Sequence, residues 1–213
     1  MNTTRPAAPI RLYHHALSGH VHRVELFLSL LDLPFEKVAI DIFKREQRSA
    51  AFLARNPFGQ IPVIDDGELT LADSNAILVY LAKRYDASGR WLPEDPVGAA
   101  KVQRWLSVAA DQLANGPATV RFSALVGRPC DDSIVRQSKG LFGLMDSELA
   151  AQPFLAAATA TIADLALYAY TAHVPEGGIS LEPYPNLRSW LARIEALPRF
   201  VGMQRSAVPA SGA

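Results

Sequence analysis

The sequence predicts an α/β domain followed by an all-helical domain. Residues 1–86 alternate strand-like and helix-like segments in the order β-α-β-α-β-β-α. Residues 87–96 contain Gly and Pro, show no periodicity and are typical of a linker. From residue 97 onward the apolar stripes have helical spacing, and none alternates as a strand would. We therefore expect two domains, 1–86 and 97–213, joined by the linker 87–96.

The first domain is predicted from short segments with two different periods. Strands carry apolar residues at every second position, and helices carry them at every third or fourth. The apolar stripe of the first helix consists of Val21, Val24, Leu28 and Leu31. The predicted elements are, in order, strand 10–13, helix 18–34, strand 35–42, helix 45–57, two strands around a turn at 65–67 within 61–71, and helix 73–85.

The second domain is predicted from three apolar stripes with helical spacing. These stripes are Val102, Trp105, Leu106, Ala109 and Leu113; Ile162, Leu165, Ala166 and Ala169; and Leu187, Trp190, Leu191 and Ile194. Gly116-Pro117 interrupts an otherwise helical segment at 112–121. Because proline bends or breaks a helix, we expect an interruption there that could shape a pocket or simply connect two helices.

Composition and charge narrow the class of protein. The chain has 213 residues, and its 21 basic side chains are balanced by 21 acidic ones. This balance argues against nucleic acid as the main partner, because such binding needs a basic surface. No apolar run approaches the roughly 20 residues that cross a membrane, and the N-terminus lacks a secretory signal. A single cysteine, Cys130, fits a reducing compartment. We expect a soluble, cytoplasmic protein.

Four of the five histidines lie in the segment "HHALSGHVH" at 14–22. A metal site would need these rings to converge with support from other ligands, but no cysteine lies nearby. His20 and His22 are two positions apart on a predicted helix, so they point in different directions. We therefore expect no metal.

The segment "NPFGQIPVID" at 56–65 contains a proline at the start of a predicted strand. Pro62 can be an edge-strand proline or can follow a cis peptide bond. The surrounding order of elements matches a thioredoxin-like domain, in which a cis bond at this point frees the preceding backbone. The N–H and C=O of Ile61 could then pair with an extended thiol peptide.

Asp73 and Ser74 stand at the start of the last helix of the first domain. They are good N-cap residues. An exposed helix start also offers N–H groups and a positive dipole end that suit a carboxylate, while an acidic side chain beside it can hold an ammonium group. The pair is thus suited to the amino-acid end of a peptide.

The chain resembles the cytosolic glutathione S-transferases in "NPFGQIPVIDDGELTLADSNAILVYLA" and in "TIADLALYAY". The family more often has Glu where this chain has Asp73. The second segment contains Thr161 and Asp164, an S/T-x-x-D capping box whose loss should cost on the order of 1 kcal/mol or more. The resemblance implies a thioredoxin-like first domain, an all-α second domain and glutathione as co-substrate.

The family lowers the pKa of the glutathione thiol with a hydroxyl or thiol just after the first strand. Ser18, five residues before Arg23, resembles the donor of serine-type members, although it can also be a plain N-cap. Tyr13 lies one position before the place of the donor in tyrosine-type members, which His14 occupies. No cysteine lies near, so we take Ser18 as the candidate catalytic residue.

The resemblance also assigns the remaining contacts with glutathione. Gln47 and Arg48 take the positions of residues that grip the glycine carboxylate, and Gln60 could reach the same ligand. Arg48 is equally compatible with an exposed helix position. His20, if protonated, would help to hold the thiolate. The expected glutathione-binding residues are His20, Gln47, Arg48, Gln60, Ile61, Pro62, Asp73 and Ser74.

The electrophile pocket should lie between the domains. Its candidate residues are His14 and His15, beside the first strand, and Asn115 and Arg121, near the Gly116-Pro117 break. Phe58 takes the place of an aromatic side chain that enters the partner subunit in some members, although it can also pack within its own chain. The resemblance implies a homodimer.

The resulting prediction is a glutathione transferase that directs the thiolate at a small hydrophobic electrophile. Two alternatives stay open, because fold alone does not determine activity. One is a glutathione- or ligand-binding protein with little catalysis, and the other is a glutathione-dependent peroxidase or isomerase. The identity of the electrophile is not written in the sequence.

Overall fold

The computed structural model describes residues 5–206 and contains both predicted domains. The first domain is a four-stranded sheet in the order β2-β1-β3-β4, with β1 parallel to β2 and antiparallel to β3. Its elements are β1 Ile10–His14, α1 Gly19–Leu30, β2 Phe35–Ala39, a 3-10 helix Glu46–Arg48, α2 Ala50–Leu53, β3 Val63–Asp66, β4 Leu69–Ala72 and α3 Ser74–Tyr85. The thioredoxin-like order β-α-β-α-β-β-α is therefore confirmed.

Strand alternation decides which face of the sheet meets which helices. Leu12 and Ile64 are fully buried on the face that packs against α1 and α3. Their neighbours Tyr13 and Val63 point to the opposite face, where they meet Phe52 of α2. Successive side chains of a strand point to opposite faces, so this two-sided core follows from period-2 patterning.

The predicted boundaries of two elements in the first domain are wrong. β2 ends at Ala39 rather than at residue 42, because the Asp41 side chain turns the chain by accepting hydrogen bonds from the N–H groups of Phe43 and Lys44. The single helix expected at 45–57 is divided into the 3-10 helix and α2. Arg45, with φ 61°, precedes the 3-10 helix, and Ser49, the extended N-cap of α2, separates the two pieces.

The second domain is helical, as predicted. Its helices are α4 Pro96–Ala110, α5 Gln112–Asn115, α6 Pro117–Leu125, α7 Asp132–Ala151, α8 Ile162–Ala172 and α9 Pro185–Glu195, with a 3-10 helix at Val174–Gly177. The break at Gly116-Pro117 is confirmed, since α5 ends before it and α6 begins at Pro117. No helix in the described part of the chain is long and apolar enough to cross a membrane.

The capping box of α8 is confirmed and belongs to a larger buried network. Thr161 caps the helix, and the Asp164 carboxylate accepts from the backbone N–H of Thr161. The same carboxylate accepts from the N–H of Leu155 at 2.9 Å and from Trp190 Nε1 at 2.8 Å. Asp164 therefore joins α8 to the preceding loop and to α9.

The segment between α3 and α4 is packed into the core. Trp91 is 2% exposed, and its ring meets that of Phe27 with centroids 5.2 Å apart. Its carbonyl also accepts from the N–H of Ile162. We retain 87–96 as the proposed domain boundary, with Trp91 as its anchor.

Candidate active site

A cleft of about 1250 Å³ lies between the two domains. Its walls include all eight residues expected to bind glutathione: His20, Gln47, Arg48, Gln60, Ile61, Pro62, Asp73 and Ser74. These residues come from α1, the 3-10 helix, the segment just before β3 and the start of α3, so the fold brings together segments that are distant in sequence.

The start of α3 forms one end of the cleft. The Asp73 carboxylate caps the helix by accepting from the N–H groups of Asn75 and Ala76, both at 2.9 Å. Asp73 has φ 72°, which places its exposed carboxylate at the cleft while Ser74 begins the helix. The capping role and a binding role are therefore compatible.

Arg23, which the sequence identified only as a motif position, is buried beneath the start of α3. Its guanidinium is 0% exposed, and Nη1 donates to Ser74 Oγ at 3.2 Å and to Asn75 Oδ1 at 2.8 Å. Burial lowers the pKa of Arg23 to about 10, so the group stays charged at neutral pH. Nε and Nη2 have no partner among the described residues. A fixed positive charge thus adds to the positive end of α3.

His20 lines the cleft, but it cannot carry the charge expected of it. Its Nδ1 lies 3.4 Å from Ser74 Oγ, and its ring packs edge-on against Tyr170. Burial, followed by the nearby charge of Arg23, lowers the pKa of His20 to about 3. This pKa argues against the expected protonated ring beside the thiolate, and a neutral His20 can still donate or accept a hydrogen bond.

Gln47 and Arg48 form the opposite end of the cleft. The Gln47 side-chain oxygen is buried without a hydrogen-bond partner among the described residues. Arg48 is exposed and makes no ion pair within the described chain. Gly59, at φ 59°, allows Gln47 and Arg48 to pack against its backbone. A Cβ at this position would lie only 2.9 Å from the Arg48 side chain and from the Gln47 carbonyl. One unpaired acceptor and one cation therefore face the cleft.

The Ile61-Pro62 peptide bond is cis, as the second interpretation of Pro62 required. Gln60 is held beside it, since its carbonyl accepts from Asn56 Nδ2 at 2.7 Å. The N–H and C=O of Ile61 form no hydrogen bond with another described residue. This backbone is available to an extended ligand in the cleft.

Ser18 is the N-cap of α1. Its Oγ accepts from the N–H of Val21 at 3.3 Å, and the hydroxyl hydrogen has no acceptor among the described residues. Ser18 lines a separate cavity of about 140 Å³, whereas His20, two positions later, lines the cleft. The hydroxyl therefore stands at the positive end of α1 with a hydrogen to donate.

The hydroxyl of Tyr13 is bound to a carboxylate outside the cleft. Its hydroxyl donates to Asp65 Oδ2 at 2.8 Å on the α2 face of the sheet, and the residue is 5% exposed. Burial and this carboxylate raise the pKa of Tyr13. The geometry agrees with the sequence argument against Tyr13 as the donor.

His14 and His15 do not line the cleft, and the expectation that they form its electrophile wall is wrong. Both line the 140 Å³ cavity beside Ser18. His14 Nε2 lies 3.3 Å from Glu25 Oε2, and His15 Nδ1 accepts from the N–H of Leu17. His15 still touches the cleft wall from behind, since its ring packs edge-on against Phe43 with centroids 5.5 Å apart.

Asn115 lines the cleft, as expected, on the wall supplied by the helical domain. The sequence did not identify the apolar part of this site. That part includes Phe43, which is 57% exposed, Phe122, which is 51% exposed, and Val126. Phe43 follows a strand in a polar loop, and Phe122 lies off the buried stripe of its helix. In the sequence, an aromatic residue in a polar loop or off the apolar stripe of a helix was the signal that could have indicated this apolar wall.

Arg121 is not part of the cleft, and this prediction is also wrong. The side chain is 3% exposed, Nε donates to Glu176 Oε2, and Nη1 donates to the Leu17 carbonyl, each at 2.8 Å. Its place on α6 turns it toward the start of α1 instead of toward the ligand space.

The clustered histidines separate in the fold. His14 meets Glu25, His20 faces the cleft, and His22 Nε2 donates to the Val201 carbonyl at 2.8 Å. Within residues 5–206, no group of three or more histidine, cysteine, aspartate or glutamate side chains is arranged to hold a metal ion. Phe58 is 77% exposed at the rim of the cleft.

The sequence was compared with known protein families and with individual proteins. Residues 8–83 match the model of the glutathione S-transferase N-terminal domain, and residues 126–198 match that of the C-terminal domain. Glutathione S-transferase 3 of Zea mays is 32% identical, over 91% of this chain and 92% of that protein.

Solved structures agree. A glutathione S-transferase from Pseudomonas fluorescens is 33% identical, with a TM-score of 0.87 over 92% of this chain and 99% of that one. A glutathione transferase homologue from Drosophila mojavensis with bound glutathione is 26% identical, with a TM-score of 0.83 over 89% of each chain. The chain therefore belongs to the glutathione S-transferase family.

Proposed function

We propose that this protein is a glutathione transferase of the serine type, which binds glutathione in the interdomain cleft and directs its thiolate at a small hydrophobic electrophile. In the reaction the thiol loses its proton, the sulfur forms a bond to the electrophilic carbon, and the leaving group departs with the electron pair of the broken bond. Family membership and a relative with bound glutathione support this assignment.

The observation that carries the proposal is the distribution of polar groups along the cleft. The start of α3, backed by buried Arg23, suits the γ-glutamyl carboxylate, and Asp73 suits the ammonium. The unpaired backbone of Ile61 suits the central cysteine, and Gln47 with Arg48 suits the glycine end. An extended tripeptide with a charge at each end matches this order of groups.

Ser18 is the proposed donor to the thiolate. This role requires the thiol to reach the start of α1 beside His20, because Ser18 itself lines the neighbouring 140 Å³ cavity and not the cleft. Its hydroxyl hydrogen is free, and the positive end of α1 adds a favourable field. Because His20 is neutral, Ser18 and the first N–H groups of α1 must stabilise the negative sulfur without a histidine cation. The apolar wall at Phe43, Phe122 and Val126 would hold the electrophile.

Replacing Ser18 tests the mechanism. We expect Ser18→Ala to raise the pKa of the bound thiol toward its free value of about 8.5. The kcat/KM for a small aryl halide should fall on the order of 100-fold, which is typical of losing one donor to a developing anion. Ser18→Thr, which keeps the hydroxyl, is the matched variant. An unchanged pH–rate profile in Ser18→Ala would remove Ser18 from this role.

Binding to immobilised glutathione separates the alternatives. Retention with conjugation supports the transferase, whereas retention without turnover supports a binding protein, and turnover of peroxides alone supports the peroxidase. A role in detoxification, a cytoplasmic location and a homodimer remain part of the proposal. Sedimentation tests the dimer, with exposed Phe58 as the residue to replace.

A further inference from the structure

Arg121 connects the helical domain to the loop that precedes α1. Its Nη1 donates to the Leu17 carbonyl across 104 positions of sequence, and its Nε donates to Glu176. Leu17 immediately precedes Ser18, the N-cap of α1. A charge-assisted hydrogen bond to this carbonyl restrains the backbone at the start of α1.

Glu176 holds Arg121 in place. Burial alone would raise the pKa of Glu176, but hydrogen bonds from Ser206, His173 and Arg121 outweigh it and lower the pKa to about 2. Glu176 is therefore ionised at neutral pH. His173 Nδ1 lies 2.5 Å from Oε1, which leaves Oε2 to Arg121 and to the hydroxyl of Ser206.

Close packing prevents the base of Arg121 from shifting. A Cβ on Gly177 would lie 2.7 Å from Val120 Cγ1 and 3.1 Å from the Arg121 nitrogen, so only glycine lets the 3-10 helix Val174–Gly177 approach α6 this closely. The guanidinium thus projects from a fixed backbone toward Leu17.

The helical domain meets the start of α1 at a second point. A Cβ on Gly19 would lie 2.8 Å from the ring of Tyr170, which is buried on α8. Besides Glu176, the titratable groups that feel the charge of Arg121 are His173 and Tyr170. Residues 17–19 are therefore held by contacts that only the folded second domain can supply.

We propose that Arg121 is a positioning residue, which fixes the start of α1 through the Leu17 carbonyl and so aims the Ser18 hydroxyl and the first N–H groups of α1 at the thiolate. This inference rests on the proposed thiolate-stabilising role of the start of α1. It assigns Arg121 a task different from contact with the electrophile.

The test compares Arg121→Met with Arg121→Lys, and uses Arg104→Met, which breaks an exposed ion pair with Glu148, as the control. Amide hydrogen exchange is followed at residues 15–24, with α7 as the internal reference. We expect Arg121→Met to raise exchange at 15–24 by roughly tenfold relative to α7. Arg121→Lys should recover part of this protection.

Kinetics provide the second readout. In Arg121→Met the pKa of the bound thiol should rise and kcat should fall, while KM for glutathione changes less than about threefold. Normal exchange at 15–24 and a normal thiol pKa, with only a lower unfolding free energy, would overturn the proposal. A uniform rise of exchange across the chain would do the same.

Comparison with Ser18→Ala separates the two claims. If Ser18→Ala leaves the thiol pKa unchanged but Arg121→Met raises both exchange and the pKa, then Ser18 is not the donor and Arg121 acts through the N–H groups. If Ser18→Ala raises the pKa and Arg121→Met does not, the role of Ser18 stands and that of Arg121 is wrong.

Discussion

The guanidinium of Arg23 donates to the hydroxyl of Ser74 across 51 positions of sequence, in the buried space beneath the start of α3. This contact joins α1, which begins at the proposed thiolate donor, to α3, which begins at the proposed carboxylate site. The proposed thiolate site and the proposed carboxylate site are therefore connected through one cation.

Replacing Arg23 should weaken recognition of a carboxylate. Arg23→Met leaves Ser74 Oγ and Asn75 Oδ1 without their donor and removes the buried charge. We expect glutathione affinity to fall at least about tenfold, because hydrogen bonds to charged groups contribute about 1.5–3 kcal/mol. Isothermal titration should show a smaller loss for a glutathione analogue whose γ-glutamyl carboxylate is an amide.

The control for this prediction is Arg84→Met, which removes an exposed arginine of α3. It should bind glutathione like the parent protein. Equal losses for glutathione and for the amide analogue in Arg23→Met would contradict a charge effect and indicate a general disturbance of α3.

Phe122 should determine affinity for the electrophile. It lies half-exposed on the cleft wall, so Phe122→Ala removes apolar contact area without disturbing the core. We expect KM for an aromatic electrophile to rise roughly tenfold, within the range for loss of one hydrophobic contact in a pocket. KM for glutathione should stay the same. Steady-state kinetics with each substrate varied in turn measure both.

Leu144→Ala is the matched control, because Leu144 is 47% exposed on α7 and does not line the cleft. Its kinetic constants should equal those of the parent protein. An equal rise of KM for both substrates in Phe122→Ala would count against a separate electrophile wall.

Stability should fall as the solution is acidified through the range in which histidines titrate. Burial lowers the pKa of His22 to about 4 and that of His20 to about 3, whereas the unfolded chain titrates at about 6.5. Below about pH 6.5 the unfolded state binds protons that the folded state does not, so the free energy of unfolding decreases with falling pH. His22 alone accounts for on the order of 3 kcal/mol by pH 4.

Urea unfolding at several values between about pH 4 and 7 measures this slope. His22→Gln should reduce the slope by about half, because the glutamine amide does not titrate whereas His20 still contributes. Burial disfavours the ionised form of Glu25 and Glu176, but hydrogen bonds from histidine and from cations hold the pKa of each at about 2. Below about pH 4.5 the unfolded chain therefore protonates these two carboxylates before the folded protein does, and we expect a second decrease in the free energy of unfolding. A slope in His22→Gln as steep as that of the parent protein would show that His22 does not contribute to it.

The buried carboxylate of Asp164 should matter more than an ordinary cap. Asp164→Ala leaves the N–H groups of Leu155 and Thr161 and the indole of Trp190 without their acceptor. We expect the free energy of unfolding to fall by about 3–5 kcal/mol, against about 1 kcal/mol for Thr161→Ala. Denaturant unfolding measures both.

The site itself should be spared in both variants. Neither Thr161 nor Asp164 lines the cleft, so glutathione affinity per folded molecule should match that of the parent protein. A selective loss of affinity in folded Asp164→Ala would instead assign this carboxylate a role in the site.

Local features were predictable because neighbouring residues decide them. The N-cap residues Ser18, Asp73 and Thr161 and the helix break before Pro117 all lie where the sequence predicted them. The limits of β2 were not predictable, because the turn made by the Asp41 side chain competes with the strand pattern. The cis bond before Pro62 was anticipated from the order of elements around it, since proline at a strand start permits either form.

The sequence by itself determined the order of helices and strands, the family resemblance and the polar groups of the glutathione end. Periodicity and capping depend on residues a few positions apart. Only the tertiary structure decided that His20 is neutral, that His14 and His15 line a separate cavity beside Ser18, and that Arg121 donates to the Leu17 carbonyl. Burial and long-range partners arise from distant segments meeting, and their pattern is not visible in the sequence around each residue.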